Sequence, residues 1–94
     1  MDFAEFVDIM PELEEKFKEE FLHRVAQRTP VRTGALKAGW EWDEQGDSLY
    51  FTNDVEYAIF VEQGTSKMAP RMMVGTTLLE VDDILKQVVK EVIG

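Results

Sequence analysis

The residues that most often carry chemistry are sparse in this chain. His23 is the single histidine, and it stands among Glu19, Glu20, Arg24 and Gln27. With no cysteine and no second histidine, a transition-metal site would have to combine His23 with carboxylates alone, a donor set poorly matched to such ions. Ser48 and Ser66 are nucleophiles by type, but neither lies in a G-x-S-x-G setting, and His23 would be their only base. Between Glu41 and Glu62 there are seven acids (Glu41, Asp43, Glu44, Asp47, Asp54, Glu56 and Glu62) and no Lys or Arg. A carboxylate pair can serve glycosidic chemistry, but one partner must then be held protonated by apolar surroundings. These acids alternate along strand positions beside polar turns, where nothing would raise one above its neighbour. Gly34, Gly39 and Gly46 are isolated and form no phosphate-cradling loop. The expectation is a chain that is not an enzyme and has no cofactor or metal.

The elements that would position these residues can be read from periodicity. Leu13, Phe17, Phe21 and Val25 recur every four residues, with Glu14, Glu15, Lys18 and Glu19 opposite them. Phe3, Phe6, Val7 and Met10 extend the apolar stripe upstream. Pro11 fits only a first turn or a kink, so a short helical lead-in and a main helix from about Pro11 to Gln27 are expected. Thr29-Pro30 ends that helix, and the phenylalanines are expected in the core. "GWEWDEQGDSLYFTND" predicts a strand at Trp40–Asp43, a turn at Gln45-Gly46-Asp47 and a second strand at Ser48–Thr52. Trp40 and Trp42 share one face, with Glu41 and Asp43 on the other; Leu49 and Phe51 share a face opposite Tyr50.

Downstream, Leu78, Val81, Leu85, Val88 and Val92 step by three and four, with Ile84 and Val89 widening the stripe, which predicts a C-terminal helix packed on the sheet. Thr77-Leu78-Leu79-Glu80 matches a capping box at its start. The whole is α+β: an N-terminal helix, a small curved antiparallel sheet, a short helical turn and a C-terminal helix, in one domain spanning 1–94. No apolar run approaches the ~20 residues of a membrane span. "MDFAEFVDIM" also lacks the basic start of a signal peptide, so the chain is expected to be soluble and to stay in the cytoplasm where it is made.

A net charge of −9 opposes binding to a nucleic-acid backbone. The acidic segment 41–62 is bracketed by Arg28, Arg32 and Lys37 on one side and by Lys67 and Arg71 on the other. Such an arrangement either satisfies itself within the chain or joins one copy to the next.

Two short stretches stand apart from the helices and strands. In "TPVRTG", Pro30 fixes φ and Gly34 permits a positive one before the first strand. In "EYAIFVEQGTSKMAP", Tyr57–Val61 fits one helical turn or a short strand, and Gly64 suits a left-handed stop. Glu62 should then be tied down, either by loop N–H groups or by Arg32.

Together, in this order and at this spacing, the two stretches resemble the tail-completion (minor tail component) family of long-tailed bacteriophages and prophages. Its Pro-x-x-Thr-Gly-x-Leu motif is matched by Pro30, Thr33, Gly34 and Leu36. Its Tyr-Ala…Val-Glu-x-Gly-Thr motif is matched by Tyr57, Ala58, Val61, Glu62, Gly64 and Thr65. The following proline-containing segment has Met68, Met72 and Met73 where an aromatic is common.

The resemblance implies a structural protein of the virion, placed at the head–tail junction or the head-proximal end of the tail tube and assembled in the bacterial host cytoplasm. It implies a ring of copies, commonly six-fold, through which DNA passes without specific binding, with connector and tail-tube proteins as neighbours and no membrane contact. A closed ring needs two different patches on each copy. The acidic Glu41, Asp43 and Glu44 and the basic Arg28, Arg32, Lys37, Lys67 and Arg71 are candidates for them. Met68, Met72 and Met73 offer an adaptable apolar contact, or else ordinary core filling. Segments 29–39 and 62–73 are candidates for ordering on assembly. The alternative function is an acidic DNA mimic that binds a host DNA-binding protein. A carboxylate-based enzyme is a third reading, and it lacks a base–nucleophile pair.

Overall fold

The computed structural model describes residues 1–30, 34–55, 57–64 and 71–94. Helix α1 (Phe3–Arg28) is followed by a short α2 (Ala35–Ala38), a hairpin of β1 (Trp40–Gln45) and β2 (Ser48–Asn53), and helices α3 (Ala58–Gln63), α4 (Met73–Leu78) and α5 (Val81–Ile93). The α+β class and the order of elements agree with the sequence reading.

Helix α1 is longer than its proline suggests. It begins at Phe3, with the Asp2 carboxylate accepting from the Glu5 N–H at 2.8 Å, and runs straight through Pro11. The expected break at Pro11 is therefore absent. Proline removes the N–H that would bond the Val7 carbonyl, but Val7 is exposed, and water can take that acceptor. At about 1.5 Å per residue the helix spans about 39 Å, most of the 53 Å length of the molecule. Its C-terminus is closed by Thr29, whose N–H donates to the Ala26 carbonyl and whose hydroxyl donates to the Val25 carbonyl.

The hairpin is antiparallel, with Trp40 opposite Asn53, Trp42 opposite Phe51 and Glu44 opposite Leu49. Alternation therefore places both tryptophans and Phe51 on one face. That face lies on α1: Phe51 meets Phe21 edge-on at 5.0 Å, Trp42 meets Phe21 at 5.3 Å, and Trp40 stacks on Phe51 at 5.2 Å. Both indole N–H groups end on α1 or its cap. Trp40 Nε1 donates to Thr29 Oγ1 at 2.9 Å and Trp42 Nε1 to the Lys18 carbonyl at 3.1 Å. A buried tryptophan with its N–H satisfied contributes its full apolar area, so these two bonds fix the register of hairpin on helix.

The core contains Phe21, Val25, Leu36, Trp40, Met73, Ile84 and Val88. Helix α5 lies chiefly along α1 rather than on the sheet. Two strands offer too narrow a face for α1 and α5 together, and α1 has already taken it. The stripe of α5 is centred on Ile84 and Val88, with Val81 and Val92 half-buried beside them. Leu78, Leu85 and Val89, expected inside, are exposed. So are Phe3 and Phe6, because among the described residues nothing covers the first turns of α1.

The capping box is also replaced. Thr77 lies in α4, and the residue before α5 is Glu80, which makes no side-chain cap bond. The Thr77 hydroxyl donates instead to the Met73 carbonyl and the Glu80 carboxylate turns to arginines of α1. Here both donor and acceptor are ionised and Glu80 meets two guanidinium groups at once, so the tertiary partners win.

Candidate assembly site

The two motif stretches are built into the fold by different means. At the first, Thr29 is buried, Pro30 is half-buried, and Leu36 reaches the core. Gly34 has φ of 73° and opens α2, so the positive φ expected of it is found. Asn53 Nδ2 donates to the Leu36 carbonyl at 2.8 Å and its Oδ1 accepts from the Val55 N–H at 3.0 Å, which ties α2 to the exit from β2.

At the second stretch, residues 58–63 form the single helical piece α3, and Gly64, at φ 76°, ends it in the left-handed region. The Glu62 carboxylate is held by backbone: Oε1 accepts from the Val74 N–H at 2.9 Å and Oε2 from the Gly75 N–H at 2.8 Å. These are free donors of the first turn of α4, whose own cap residue, Met72, sits at φ 47° and offers no side-chain bond. Glu62 thus caps α4 from another element, with its charge at the positive end of the helix. The approach is close. A Cβ added to Gly75 would stand 3.3 Å from Glu62 Oε2 and 3.2 Å from Met72 Cε, so glycine keeps the space the carboxylate uses. The Val61 and Glu62 carbonyls also accept from the Arg71 and Met72 N–H groups at 2.9 and 3.1 Å. The chain on both sides of segment 65–70 is therefore pinned at one base. Of the two partners expected for Glu62, backbone N–H groups are found, but they belong to helix α4 rather than to a loop; Arg32 lies outside the described residues.

Several candidate interface residues are used inside the chain. Arg28 donates to Thr77 Oγ1 and to Glu80, each at 2.7 Å. Arg24 reaches Glu20 at 3.1 Å, Glu80 at 3.4 Å and Gln87 at 3.0 Å. Glu44, on the inner face of the hairpin, pairs with Lys18 of α1. That bond leads the causes that hold the Lys18 ammonium above its ordinary range. Met73 is fully buried in the core. Lys37, Glu41, Asp43, Arg71 and Met72 are exposed, and among the described residues none of these four charges makes an ion pair. Thr33, Thr65, Arg32, Lys67 and Met68 lie outside the described residues. Tyr57 is exposed and Ala58 half-buried.

The Arg24–Arg28–Glu80 network was not anticipated. One signal was present: Arg24 and Arg28 follow Phe21 by three and seven, on the apolar stripe, where a cation needs a partner. Hydrogen bonding from Arg28 is the largest cause holding the Glu80 carboxyl below its ordinary 4.5. A depressed folded-state value means the stabilisation is complete above 4.5 and is lost as pH falls through the folded value. The unfolding midpoint should therefore drop as pH falls below about 4.5, and Glu80→Gln should remove that part of the slope. Parallel pH profiles for the two proteins would contradict it.

His23 is exposed, and among the described residues no group of three His, Asp or Glu side chains is placed to hold a metal ion. Among those residues no helix is long and apolar enough to cross a membrane.

A family model described as "Bacteriophage HK97-gp10, putative tail-component" matches residues 4–64. The match covers roughly two-thirds of the chain, from the first turn of α1 through the end of α3. It includes both motif stretches as far as Gly64, while α4 and α5 lie beyond it. No curated protein and no solved structure matches the chain. The chain belongs to the HK97-gp10-like family of bacteriophage tail components and is a structural protein of the virion.

Proposed function

We propose that this tail component completes the tail at its head-proximal end, as a ring of identical copies around the DNA channel at the head–tail junction. Connector and tail-tube proteins are its neighbours, and assembly takes place in the host cytoplasm. The observation that carries this reading is the separation of charges that form no ion pair among the described residues. Glu41 and Asp43 project from the outer face of β1, opposite Thr52 and Tyr50, while Lys37 and Arg71 stand exposed at the bases of the two motif segments. Oppositely charged patches on different parts of one surface suit a heterologous contact, which closes into a ring. An acidic outer face also lets DNA pass without adhering. Family membership supports the setting.

Light scattering over a concentration series tests this reading. The assembled mass should fall as salt rises, because exposed pairs are screened beyond ~8–10 Å at physiological ionic strength. Arg71→Glu and Glu41→Lys should each weaken assembly roughly tenfold, a loss of order 1.4 kcal/mol, and mixing the two variants should recover part of it. Salt-independent assembly unaffected by either change would overturn the charge-based ring. A stable one-to-one complex with a host DNA-binding protein, in place of self-assembly, would replace it with the DNA-mimic reading.

A further inference from the structure

The most conspicuous unused feature is the start of α1. Phe3, Phe6, Val7 and Met10 lie on the same stripe as Leu13, Phe17, Phe21 and Val25, yet all four are exposed. The core-facing side of the helix therefore continues for two turns past the body. Exposing two phenylalanines, a valine and a methionine in one row is costly in water unless another surface covers them.

A second exposed apolar row lies on α5: Leu85, Val89 and Ile93, spaced four apart, continued at the α4–α5 corner by Leu78 and Leu79. Charge distinguishes the two rows. Residues 2–15 carry six acids (Asp2, Glu5, Asp8, Glu12, Glu14 and Glu15) and no Lys or Arg. On α5, Lys86 and Lys90 stand one position round from Leu85 and Val89, and among the described residues neither makes an ion pair. Of the acids of α5, Asp82 shares this face but lies a turn before Leu85, Asp83 is also in the first turn, and Glu91 accepts from Gln87.

We propose that the α1 arm of one copy lies on the Leu85–Val89–Ile93 row of a second copy, with its acids beside Lys86 and Lys90. This deepens the ring reading and rests on it for the identity of the partner. Two arms facing each other would bring like charges together. The groove between α1 and the hairpin, lined by Glu15, Lys18, Glu19, Leu22, Trp42 and Glu44, is itself acidic and would repel an arm. From Leu85 onward the α5 row is an exposed apolar surface with the free basic charges of Lys86 and Lys90 beside it, and its nearest acid, Asp82, lies a turn earlier. Arm and row are different surfaces, so the contact is head-to-tail and suits closure. An eight-residue arm falls short of the ~800 Å² per partner typical of a stable pair. Each contact is therefore weak, and a closed ring gains by making one per copy.

The cysteine-free chain permits a direct test. Full-length Met10→Cys and Val89→Cys are mixed in equal amounts, oxidised mildly and weighed intact. The mixed disulfide should exceed either homodimer well beyond the statistical ratio, and Phe6→Asp introduced into the Met10→Cys chain should reduce it roughly tenfold while leaving the thermal midpoint unchanged, since Phe6 is exposed. A statistical mixture, a predominant Met10→Cys homodimer, preferential coupling of the arm to Ile59→Cys on α3, or no disulfide at the highest concentration would each overturn the contact. Light scattering separates this from the ring itself. Rings that survive Phe6→Asp would leave the ring and remove the arm contact. A mixed disulfide in a species that never exceeds a dimer would keep the contact and remove the ring.

Discussion

Phe21→Ala is expected to cost about 3–5 kcal/mol, the range for an aromatic deleted from a packed core. Phe21 is 2% exposed and touches Phe17, Trp42 and Phe51 with ring centroids at 6.0, 5.3 and 5.0 Å. It is the point where α1, β1 and β2 meet, so its loss removes both buried area and the aromatic contacts that seat the hairpin. A chain of this size has only about 5–14 kcal/mol of stability in all, and the variant should be substantially unfolded well below the wild-type midpoint. Urea unfolding followed by tryptophan fluorescence reads this directly, since both indoles lie on the affected face. Phe3→Ala provides the contrast: the same residue type on the same helix, but 80% exposed, where a change within about 0.5 kcal/mol is expected. Equal losses at the two positions would mean that the hairpin does not rest on Phe21.

Glu62→Ala should have the next largest effect, about 2 kcal/mol, because it leaves two first-turn N–H groups of α4 without acceptors in a partly buried setting. The loss should be local as well as global. Hydrogen exchange at the Val74 and Gly75 amides should accelerate more than tenfold while Val25 stays protected, since the α1 ladder is untouched. Glu62→Gln keeps one side-chain oxygen and should fall between wild type and alanine. Unchanged protection of both amides in Glu62→Ala would show that water or another acceptor replaces the carboxylate without loss.

The elements legible in the sequence were those set by local periodicity. Alternation over Trp40–Asp43 and Leu49–Phe51 gave the hairpin, its turn and the face it buries, since a two-residue period needs no knowledge of the partner. Glu62 could be seen to need a partner from its place between an apolar run and Gly64. That the partner is the start of α4 depends on how two segments twelve residues apart fold together. The stripe of α1 was visible along its whole length, but the point where the body stops covering it was not. Phe3, Phe6, Phe17 and Phe21 look alike until the positions of α5 and the hairpin are known. The capping box failed for a related reason: Thr77 and Glu80 had the right spacing for a local bond, and arginines 49 to 56 residues earlier in the chain offered a better one. The candidate interface was similarly mixed. Lys37, Glu41, Asp43, Arg71 and Met72 are exposed, while Arg28, Glu44 and Met73 have partners within the chain.

The packing of α5 along α1 also determines the order in which the chain can be finished. The hairpin joins neighbours in sequence and can form as soon as it is made. The core cannot, because Val25 and Leu36 share it with Ile84 and Val88, and the arginines at 24 and 28 wait for Glu80. At roughly 5–20 residues per second, the apolar side of α1 stays bare for several seconds of translation before its covering helix exists. During that interval the nascent chain displays one long amphipathic helix, a natural client for a chaperone. Mutations in α5 should therefore lower the yield of folded protein in the cell by more than their equilibrium cost alone.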